Sequence, residues 1–331
     1  MTGSRRGKAG RRGNGLAIAL LVAVSATPPA FTQEQTVRIG QPNWFAGELV
    51  SLMLERIINE RLGLSVERVP GTNAEIFDGI LSETPTLDLH ADTWMPNQAF
   101  WVQPGLDSGA LALSGTSYPG IDGICVPQYV ETQLGVDSVS QLTDPEVAAL
   151  FDLDDDGRGE IWLGAEGWAS TRVMQVKMEG YDLSRQLDPV LLSEEDWQTV
   201  LLNRIAAQEP VLFYCYQPHM WFALDYITVL DEPPHDPALW QLVSPEESAT
   251  WIEDSNIRSA DVIKDVQVSY ATRLRESHPD VARLLSRFGL SGEEMTEMIF
   301  LAQVKDIGLE YVVDDWISAN QSLIDQWIAD E

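Results

Sequence analysis

The sequence predicts an α/β protein with two domains. Short β-rich runs alternate with segments of helical periodicity through most of the chain, a pattern typical of mostly parallel sheets with helices on their faces. From about residue 260 onward, helical patterns dominate. The chain has 331 residues, which is enough to bury two separate hydrophobic cores.

The first strand–helix units place tryptophans just beyond strand ends. Residues 36–40 predict a strand before Trp44, residues 46–62 a helix, and residues 87–90 a strand before Trp94. Ligands of such sheets bind at loops beyond the strand ends, so we expect both rings at one edge. Further predicted elements are strands at 64–69, 124–126, 161–163 and 211–216, and helices at 73–82, 140–150, 171–179, 197–207, 280–288, 292–304 and 314–327.

The N-terminal segment, residues 1–30, has the pattern of an export signal. Five basic residues precede an apolar run at 16–24, and small residues follow it. That run is too short to span a bilayer, which takes about 20 apolar residues. We therefore predict a signal peptide cleaved between Ala26 and Thr32, with an uncleaved anchor as the alternative.

The charge of the chain excludes several classes of partner. The formal net charge is −30, and removing the five basic residues of the signal segment makes it −35. Such an acidic protein repels nucleic acid, anionic lipid and large anionic substrates, so we expect no nucleic-acid partner. No later segment is long and apolar enough to predict a membrane span.

Two cysteines, Cys125 and Cys215, each lie in an apolar, strand-like run. Export makes a disulfide between them chemically possible, and two buried free thiols are the alternative. If both strands cross side by side between the two domains, a disulfide there would brace the hinge.

Tryptophan is the most informative residue type. Of the 11 tryptophans, four lie in short segments rich in turn residues: Trp44, Trp94, Trp168 and Trp221. A trimethylated nitrogen has no N–H donor, so it is held by ring faces, at about 0.5–2 kcal/mol per ring. Several converging rings are needed for micromolar affinity, about 8 kcal/mol. Packing is the alternative for any single ring, and we expect it for Trp101, Trp162, Trp197, Trp240, Trp251, Trp316 and Trp327.

These segments resemble the glycine betaine, choline and trimethylamine N-oxide substrate-binding proteins of ABC importers. Residues 88–97, DLHADTWMPN, are similar to that family's D-[VL]-H-x-x-x-W-x-P-N segment. Residues 213–219, FYCYQPH, are similar to its aromatic-x-Pro-His segment, and Gly167-Trp168-Ala169 looks like its middle ligand loop. The resemblance runs from about residue 37 to residue 327.

The resemblance implies a type II periplasmic binding protein, with two lobes of mixed sheet flanked by helices and two hinge crossings. Lobe 1 would comprise residues 36–120 and 220–331, and lobe 2 residues 121–219, with crossings near 118–125 and 214–221. It also implies a monomeric periplasmic protein without enzymatic activity, which closes on a small methylated ammonium ligand and docks on a membrane permease.

Carried over residue by residue, the resemblance implies an aromatic cage. Its members would be Trp44, Trp94, Trp168 and either Tyr216 or Trp221, with Tyr118 as a further member. Many choline and betaine binders of this family carry an aspartate two residues after the first tryptophan. Here that position is Ala46, so their charge pairing is not reproduced.

Glu166 lies two residues before Trp168, in the predicted ligand loop. A glutamate facing the carboxylate of a betaine would be repulsive. The oxygen of trimethylamine N-oxide readily carries a proton, which a carboxylate can share in a charge-assisted hydrogen bond. Glu166 therefore favours trimethylamine N-oxide, although choline would also tolerate it. Alternatively, Glu166 faces solvent or caps the next helix.

Residues 152–160 read D-x-D-x-D-G-x-G-E and predict a calcium-binding hairpin. The predicted ligands are the carboxylates of Asp152, Asp154, Asp156 and Glu160 and the backbone carbonyl of Arg158. The loop departs from a full EF-hand because position twelve is Leu163. A solvated acidic turn is the alternative, although closely spaced aspartates repel one another without metal. We assign Ca²⁺ a structural role, and such a loop resembles the trimethylamine N-oxide-binding members of the family.

Two other classes of function compete with ligand capture. One is an exported hydrolase, which would need a paired acid and base, whereas Glu166 is the one obvious candidate. The other is a calcium-dependent adhesion protein. His90 and His219 have no metal-ligand spacing, so we expect them to support the ligand segments by hydrogen bonds.

Overall fold

The computed structural model describes Gly3 and residues 36–116, 118–224 and 226–330. The predicted signal peptide, residues 1–30, lies outside the described residues apart from Gly3. None of the helices within the described ranges is long and apolar enough to cross a membrane.

The described residues alternate strands and helices in the first half and are mainly helical near the C-terminus. The strands are β1 (Val37–Pro42), β2 (Val66–Gly71), β3 (Leu89–Met95), β4 (Leu111–Leu113), β5 (Tyr118–Pro127), β6 (Gly159–Trp162), β7 (Leu187–Val190), β8 (Leu212–Gln217), β9 (Ile227–Val229), β10 (Trp240–Gln241), β11 (Asn256–Ile257) and β12 (Lys264–Ala271). The α-helices are α1 (Phe45–Ile57), α2 (Asn73–Leu81), α3 (Ala99–Asp107), α4 (Pro145–Ala148), α5 (Ala169–Gly180), α6 (Glu194–Ala207), α7 (Met220–Ala223), α8 (Trp251–Asp254), α9 (Leu274–Ser277), α10 (Pro279–Arg287), α11 (Gly292–Ile299), α12 (Leu309–Ala319) and α13 (Gln321–Ile328). Single π- or 3₁₀-helical turns occupy Ile58–Leu62, Val130–Leu134, Val139–Thr143, Ala149–Phe151, Leu183–Arg185, Pro237–Leu239 and Phe300–Val304.

A mixed sheet runs through the molecule in the order β2–β1–β3–β12–β5–β8–β6–β7, with β4 paired to β12 and β9 paired to β5. The pairs β1/β2, β1/β3, β6/β7 and β6/β8 are parallel, whereas β12 and β5 pair with their neighbours in antiparallel fashion. The α/β prediction is therefore confirmed.

Strand β5 joins two halves of this sheet. Its first residues, Tyr118 to Gly120, pair with β12, and the next five, Ile121 to Cys125, pair with β8. We call the part built on β1–β4 and β12 the first lobe, and the part built on β6–β9 the second lobe. The chain passes between the lobes along β5 and returns to the first lobe at β12.

The segment 227–257 differs from the expectation that residues 220–331 belong to the first lobe. Strand β9 pairs with Cys125 to Pro127 at the second-lobe end of β5. Further along, Val173 and Val176 of α5 bury themselves against Ile257 of β11. This apolar cluster holds the segment on the second lobe, so the chain returns to the first lobe near Lys264 rather than near residue 220.

The two cysteines form a disulfide, so the alternative of free thiols does not apply. Cys125 lies on β5 and Cys215 on β8, with their Cα atoms 5.8 Å apart. The strand register places Cys215 opposite Gly123. The bond therefore ties two strands within the second lobe and does not connect the lobes.

The predicted helix over residues 140–150 is broken in the structure. A 3₁₀ segment, Val139–Thr143, ends at Asp144, whose side chain accepts a hydrogen bond from the backbone N–H of Glu146. Helix α4 then begins at Pro145. Proline lacks an N–H and suits the first position of a helix rather than its interior, so the chain restarts there.

Candidate ligand-binding site

The candidate site is a cavity of about 350 Å³, a volume that includes space open to solvent, between the two lobes. It is lined by aromatic, amide and small side chains: Trp44, Asn73, Trp94, Asn97, Gln98, Trp168, Ala169, Ser170, Tyr214 and Tyr216. No basic and no acidic side chain is among these lining residues. The cavity therefore suits a ligand whose cation is held by rings rather than by a direct ion pair.

Five aromatic residues line the cavity, and we call the four that come from separate segments, Trp44, Trp94, Trp168 and Tyr216, the aromatic cage; the fifth, Tyr214, lies on β8 with Tyr216. Tyr216 meets Trp94 at 5.7 Å and 88° and Trp168 at 5.8 Å and 87°. Trp44 meets Trp168 at 6.0 Å and 83°. Several rings packed at near right angles around one small cavity can surround a methylated cation, which ring faces attract. Between the two predicted alternatives, Tyr216 lines the cavity and Trp221 does not.

Each cage ring is placed by the end of a strand. Trp44 follows β1 and is the N-cap of α1, and Trp168 follows β6 and is the N-cap of α5. Trp94 and Tyr216 are the penultimate residues of β3 and β8. A β-carbon at Gly120 would lie 2.4 Å from the Trp94 ring, so glycine is needed there. Trp44 and Trp168 thus lie after strands as predicted, Trp94 lies within β3 rather than after it, and all four rings line the same cavity.

Asp92 holds two of the cage rings from behind. Its Oδ2 atom accepts hydrogen bonds from the indole N–H groups of Trp44, at 2.6 Å, and Trp94, at 2.9 Å. The hydroxyl of Tyr118 donates to its Oδ1 atom. Burial raises the pKa of Asp92, although these three hydrogen bonds oppose the rise. Tyr118, predicted to be a cage member, is therefore a support for Asp92 and does not line the cavity.

His90 supports the site as a neutral residue. Burial lowers its pKa to about 3. Its Nδ1 atom accepts from the Asp92 backbone N–H at 3.2 Å, so Nε2 carries the proton and donates to Asn73 Oδ1 at 3.0 Å. The Asn73 amide then donates to the Gly167 carbonyl at 3.2 Å. This agrees with the supporting role expected for His90, and it links the first lobe to the Trp168 loop.

Glu194 is a site residue that sequence reasoning missed. Its Oε1 atom accepts from the Tyr216 hydroxyl and lies 3.1 Å from His219 Nε2. Its Oε2 atom accepts from the backbone N–H of Phe45 at 3.1 Å. In the sequence, Ser193 followed by acidic residues indicates only a helix start, and Ser193 is indeed the N-cap of α6.

The start of α5 faces the cavity. Ala169 and Ser170, its first two residues, line it, and Trp168 as N-cap provides no side-chain cap. The first N–H groups of a helix have no intrahelical partner, and the helix dipole favours negative charge there. This end of the cavity can therefore accept an anionic oxygen.

Two predicted ligand contacts lie elsewhere. Glu166 is exposed and is outside the set of lining residues, because Gly167 takes a positive φ of 84° and turns the chain between Glu166 and Trp168. Trp221 is buried and lines a neighbouring space with Trp162 and Trp197. Neither residue belongs to the aromatic cage.

The acidic hairpin brings its carboxylates together. One oxygen from each of Asp152, Asp154, Asp156 and Glu160 lies within 4.8 Å of the others. Glu160 is buried, which raises its pKa, and the neighbouring aspartates raise it further. The side chain of Arg158 binds Asp188 at 2.7 Å, and its backbone N–H donates to Asp156. Four converging carboxylates on a tight turn fit Ca²⁺, which prefers oxygen ligands.

Comparisons with known proteins agree with this architecture. A family model described as the substrate binding domain of ABC-type glycine betaine transport systems matches residues 35–319. The glycine betaine/proline betaine-binding periplasmic protein of Salmonella typhimurium is 20% identical over 297 residues, 84% of each chain. That of Escherichia coli is 18% identical over 214 residues, 62% of this chain and 63% of its own.

Solved structures show the same type II periplasmic binding protein fold. The glycine betaine/L-proline-binding protein ProX of Borrelia burgdorferi has a TM-score of 0.68 at 20% identity, covering 89% of this chain and 97% of its own. Lactococcal OpuAC, closed on glycine betaine, has a TM-score of 0.67 at 17% identity, covering 89% and 100%. A choline-binding protein in complex with choline has a TM-score of 0.66 at 14% identity, covering 88% and 91%.

Proposed function

Because the chain belongs to the family of substrate-binding domains of ABC-type glycine betaine transport systems, we propose that it captures glycine betaine in the aromatic cage. The chain is the substrate-binding component of an ABC importer for ligands of the glycine betaine and choline type. Its relatives are transport proteins and not enzymes, so neither a hydrolase nor an adhesion protein is favoured.

The cage is the observation that carries this proposal. Its four rings are each only 4–8% exposed, so a quaternary ammonium between them loses its water and gains ring faces on several sides. A desolvated cation–π contact contributes up to about 2 kcal/mol per ring. Four rings can therefore supply most of the roughly 8 kcal/mol that a micromolar dissociation constant requires.

The start of α5 supports a ligand that also carries a negative charge. Ala169 and Ser170 line the cavity at the start of α5, and a helix N-terminus binds carboxylates without a basic side chain. A zwitterion places its cation in the cage and its carboxylate at α5. Glycine betaine has both groups on a small frame, which is why we place it first.

Trimethylamine N-oxide is a smaller zwitterion with the same two ends. The argument that placed it first relied on Glu166 facing the ligand, and Glu166 is exposed. Without that contact, the N-oxide has no advantage over glycine betaine, whose separate carboxylate suits the start of α5.

Choline is a second candidate, favoured by one specific observation. The amide of Asn97 donates to Asp122 Oδ2 at 3.2 Å, which fixes its orientation. Its Oδ1 atom is then buried without a hydrogen-bond partner among the described residues, and Asn97 lines the cavity. A hydroxyl group on the ligand would satisfy this acceptor.

We expect capture to proceed by closure of the two lobes. Trp168 of the second lobe donates from its indole N–H to Asn43 Oδ1 of the first lobe at 3.0 Å. Asn73 of the first lobe donates to the Gly167 carbonyl of the second. These contacts complete the cage when the lobes meet, and the closed form would then dock on the membrane permease.

Calorimetric titration with glycine betaine, trimethylamine N-oxide, choline and carnitine tests the proposal. We expect glycine betaine to bind most tightly, with a dissociation constant in the micromolar range. Clearly tighter choline binding would overturn the role of α5 and favour Asn97 as the specificity contact. Absence of binding by all four compounds would refute the proposed function.

We also propose that the acidic hairpin binds Ca²⁺ through Asp152, Asp154, Asp156 and Glu160, with the Arg158 carbonyl as a further ligand. The hairpin precedes β6, whose other end leads to Trp168, so bound metal would brace the second lobe. Elemental analysis of protein purified without added metal should find one Ca²⁺ per chain. Chelation should lower the melting temperature, and an unchanged melting temperature would contradict a structural ion.

We further propose that residues 1–30 direct export to the periplasm, the compartment of the related binding proteins. The mature chain is expected to act as a monomer with no nucleic-acid partner. The N-terminal sequence of protein recovered from the periplasm, and its mass in solution, would test both statements.

A further inference from the structure

Glu194 contacts a cage residue and a residue of the other lobe through one carboxylate. Its side chain is 11% exposed, and both of its oxygens are engaged. Oε1 accepts from the hydroxyl of Tyr216, a cage residue, and lies 3.1 Å from His219 Nε2. Oε2 accepts from the backbone N–H of Phe45 at 3.1 Å. Two groups from the end of β8 and the residues just after it, Tyr216 and His219, thus meet the distant Phe45 at one carboxylate.

These contacts join the two lobes. Glu194 begins α6, which is anchored to the second lobe because Trp197 stacks on Trp162 of β6 at 5.4 Å. Phe45 begins α1 in the first lobe and directly follows Trp44, a cage residue. One carboxylate therefore touches a cage ring of its own lobe and the residue after a cage ring of the other lobe.

We propose that Glu194 is a positioning residue that couples the position of the Tyr216 ring in the cage to closure of the two lobes. It lies outside the lining of the cavity and acts through Tyr216 and the start of α1. The bond to Tyr216 lies within the second lobe and persists when the lobes part, whereas the bond to Phe45 requires the lobes to be closed. This inference rests on the proposed function, because closure matters only if the cage captures a ligand.

The chemistry at α1 favours a charged acceptor. The N-cap of α1 is Trp44, which provides no side-chain cap, so the Phe45 N–H depends on Glu194. A carboxylate at a helix N-terminus gains from the helix dipole, and a charge-assisted hydrogen bond is stronger than a neutral one. Glutamine at this position would keep one acceptor oxygen but would lose the charge and the second acceptor.

The test compares Glu194→Ala and Glu194→Gln with Glu195→Ala, using glycine betaine as the probe. Glu195 is the next residue in the same first turn of α6, is exposed and carries the same charge, which makes it a matched control. Calorimetry gives the dissociation constant, and stopped-flow tryptophan fluorescence gives the release rate.

We expect Glu194→Ala to raise the dissociation constant at least about ten-fold, mostly through faster release, because a contact of the closed state is lost. Glu194→Gln should fall between this variant and the unchanged protein, and Glu195→Ala should match the unchanged protein. Small-angle scattering should show that Glu194→Ala closes less completely at saturating ligand.

Retention of both the original dissociation constant and the original release rate by Glu194→Ala would overturn the inference and leave the proposed function intact. If the unchanged chain binds none of the tested compounds, both proposals fail. Tyr216→Phe keeps the ring and removes only the hydroxyl bound to Glu194, so it tests the coupling even if Glu194→Ala fails to fold. It should speed release, and an unchanged release rate would count against the coupling.

Discussion

Asp92, which is buried, and Glu194, which is partly buried, both accept hydrogen bonds from cage residues, but they organise different parts of the site. Asp92 accepts hydrogen bonds from three donors that all lie on the first-lobe side of the cavity: Trp44, Trp94 and Tyr118. The donors to Glu194 come from both lobes. Asp92 therefore fixes the rings of Trp44 and Trp94 before the lobes close, whereas the contact between Glu194 and Phe45 forms only when they close.

The difference teaches how a flexible protein can hold a small cation firmly. Rings that are fixed before binding lose little conformational freedom when the ligand enters, which favours affinity. The second pair of rings, Trp168 and Tyr216, then closes the box and excludes water. Asp92 is expected to set the affinity of the open protein for the ligand, and Glu194 the lifetime of the closed complex.

The largest effect is expected for Asp92→Ala. Two indole N–H groups and the Tyr118 hydroxyl would lose their shared acceptor, and each buried unpaired donor costs about 1–3 kcal/mol. Thermal unfolding should show a destabilised protein, and calorimetry should show weakened or lost ligand binding. An unchanged melting temperature would show that Asp92 does not hold these rings.

Removal of single rings should have the next largest effect. Trp94→Ala and Trp168→Ala should each weaken glycine betaine binding by at least about 1 kcal/mol, because each removes one cation–π face. Trp316 stacks on Trp327 outside the cage, so Trp316→Ala is a control that should leave the dissociation constant unchanged. A neutral result at Trp94 or Trp168 would remove that ring from the cage.

A smaller, pH-dependent effect should separate the charge of Asp92 from its hydrogen bonds. Burial raises the pKa of Asp92, so the carboxylate is protonated at a higher pH than an ordinary aspartate. Protonation removes the negative charge behind the cage, so affinity for a cation should fall as the pH is lowered, beginning at a higher pH than the pKa of an ordinary aspartate would give. Asp92→Asn keeps an acceptor for the indoles and should bind more weakly at neutral pH with a flatter profile. Parallel pH profiles for the two proteins would refute this coupling.

The smallest effect is expected for Glu166→Ala. Glu166 is exposed and outside the cavity lining, so the dissociation constants of glycine betaine and trimethylamine N-oxide should not change. This variant is the counterpart of Glu194→Ala, since both remove one acidic residue near the ligand loops. A selective loss of N-oxide binding in Glu166→Ala would restore the interpretation made from the sequence.

The sequence predicts that rings from separate segments gather at one cavity because their placement is local. Trp44 lies shortly after β1 and Trp168 lies in the loop after β6, and residues beyond the end of a parallel strand lie at the ligand edge. The choice between Tyr216 and Trp221 could not be made, since both lie in one segment. It depends on where β8 ends, and Tyr216 is still in that strand.

The sequence does not predict the supporting carboxylates, because their partners are distant in the chain. Glu194 meets Phe45 across 149 positions, and no local pattern marks that contact. The expectation that Glu166 faces the cavity was not met, for the opposite reason. Its nearness to Trp168 in sequence indicated a shared direction, but the positive φ of Gly167 turns the chain between them.

In the fold, too, features set by neighbouring residues were predicted, and features set by contacts between distant residues were not. Strand β8 was predicted within one residue because its apolar run is continuous, whereas β3 extends on to Met95 and β5 begins earlier, at Tyr118, beyond the predicted runs. The location of residues 227–257 was missed, since it depends on an apolar cluster between Val173, Val176 and Ile257. Residues so far apart carry no joint signal in a single sequence.

A crystal structure of the protein with glycine betaine bound would test the central claim most directly. We predict that the methyl groups contact the rings of Trp44, Trp94, Trp168 and Tyr216, with the carboxylate at the N–H groups of Ala169 and Ser170. A quaternary nitrogen located outside these four rings, or a carboxylate held by a basic side chain, would contradict the account.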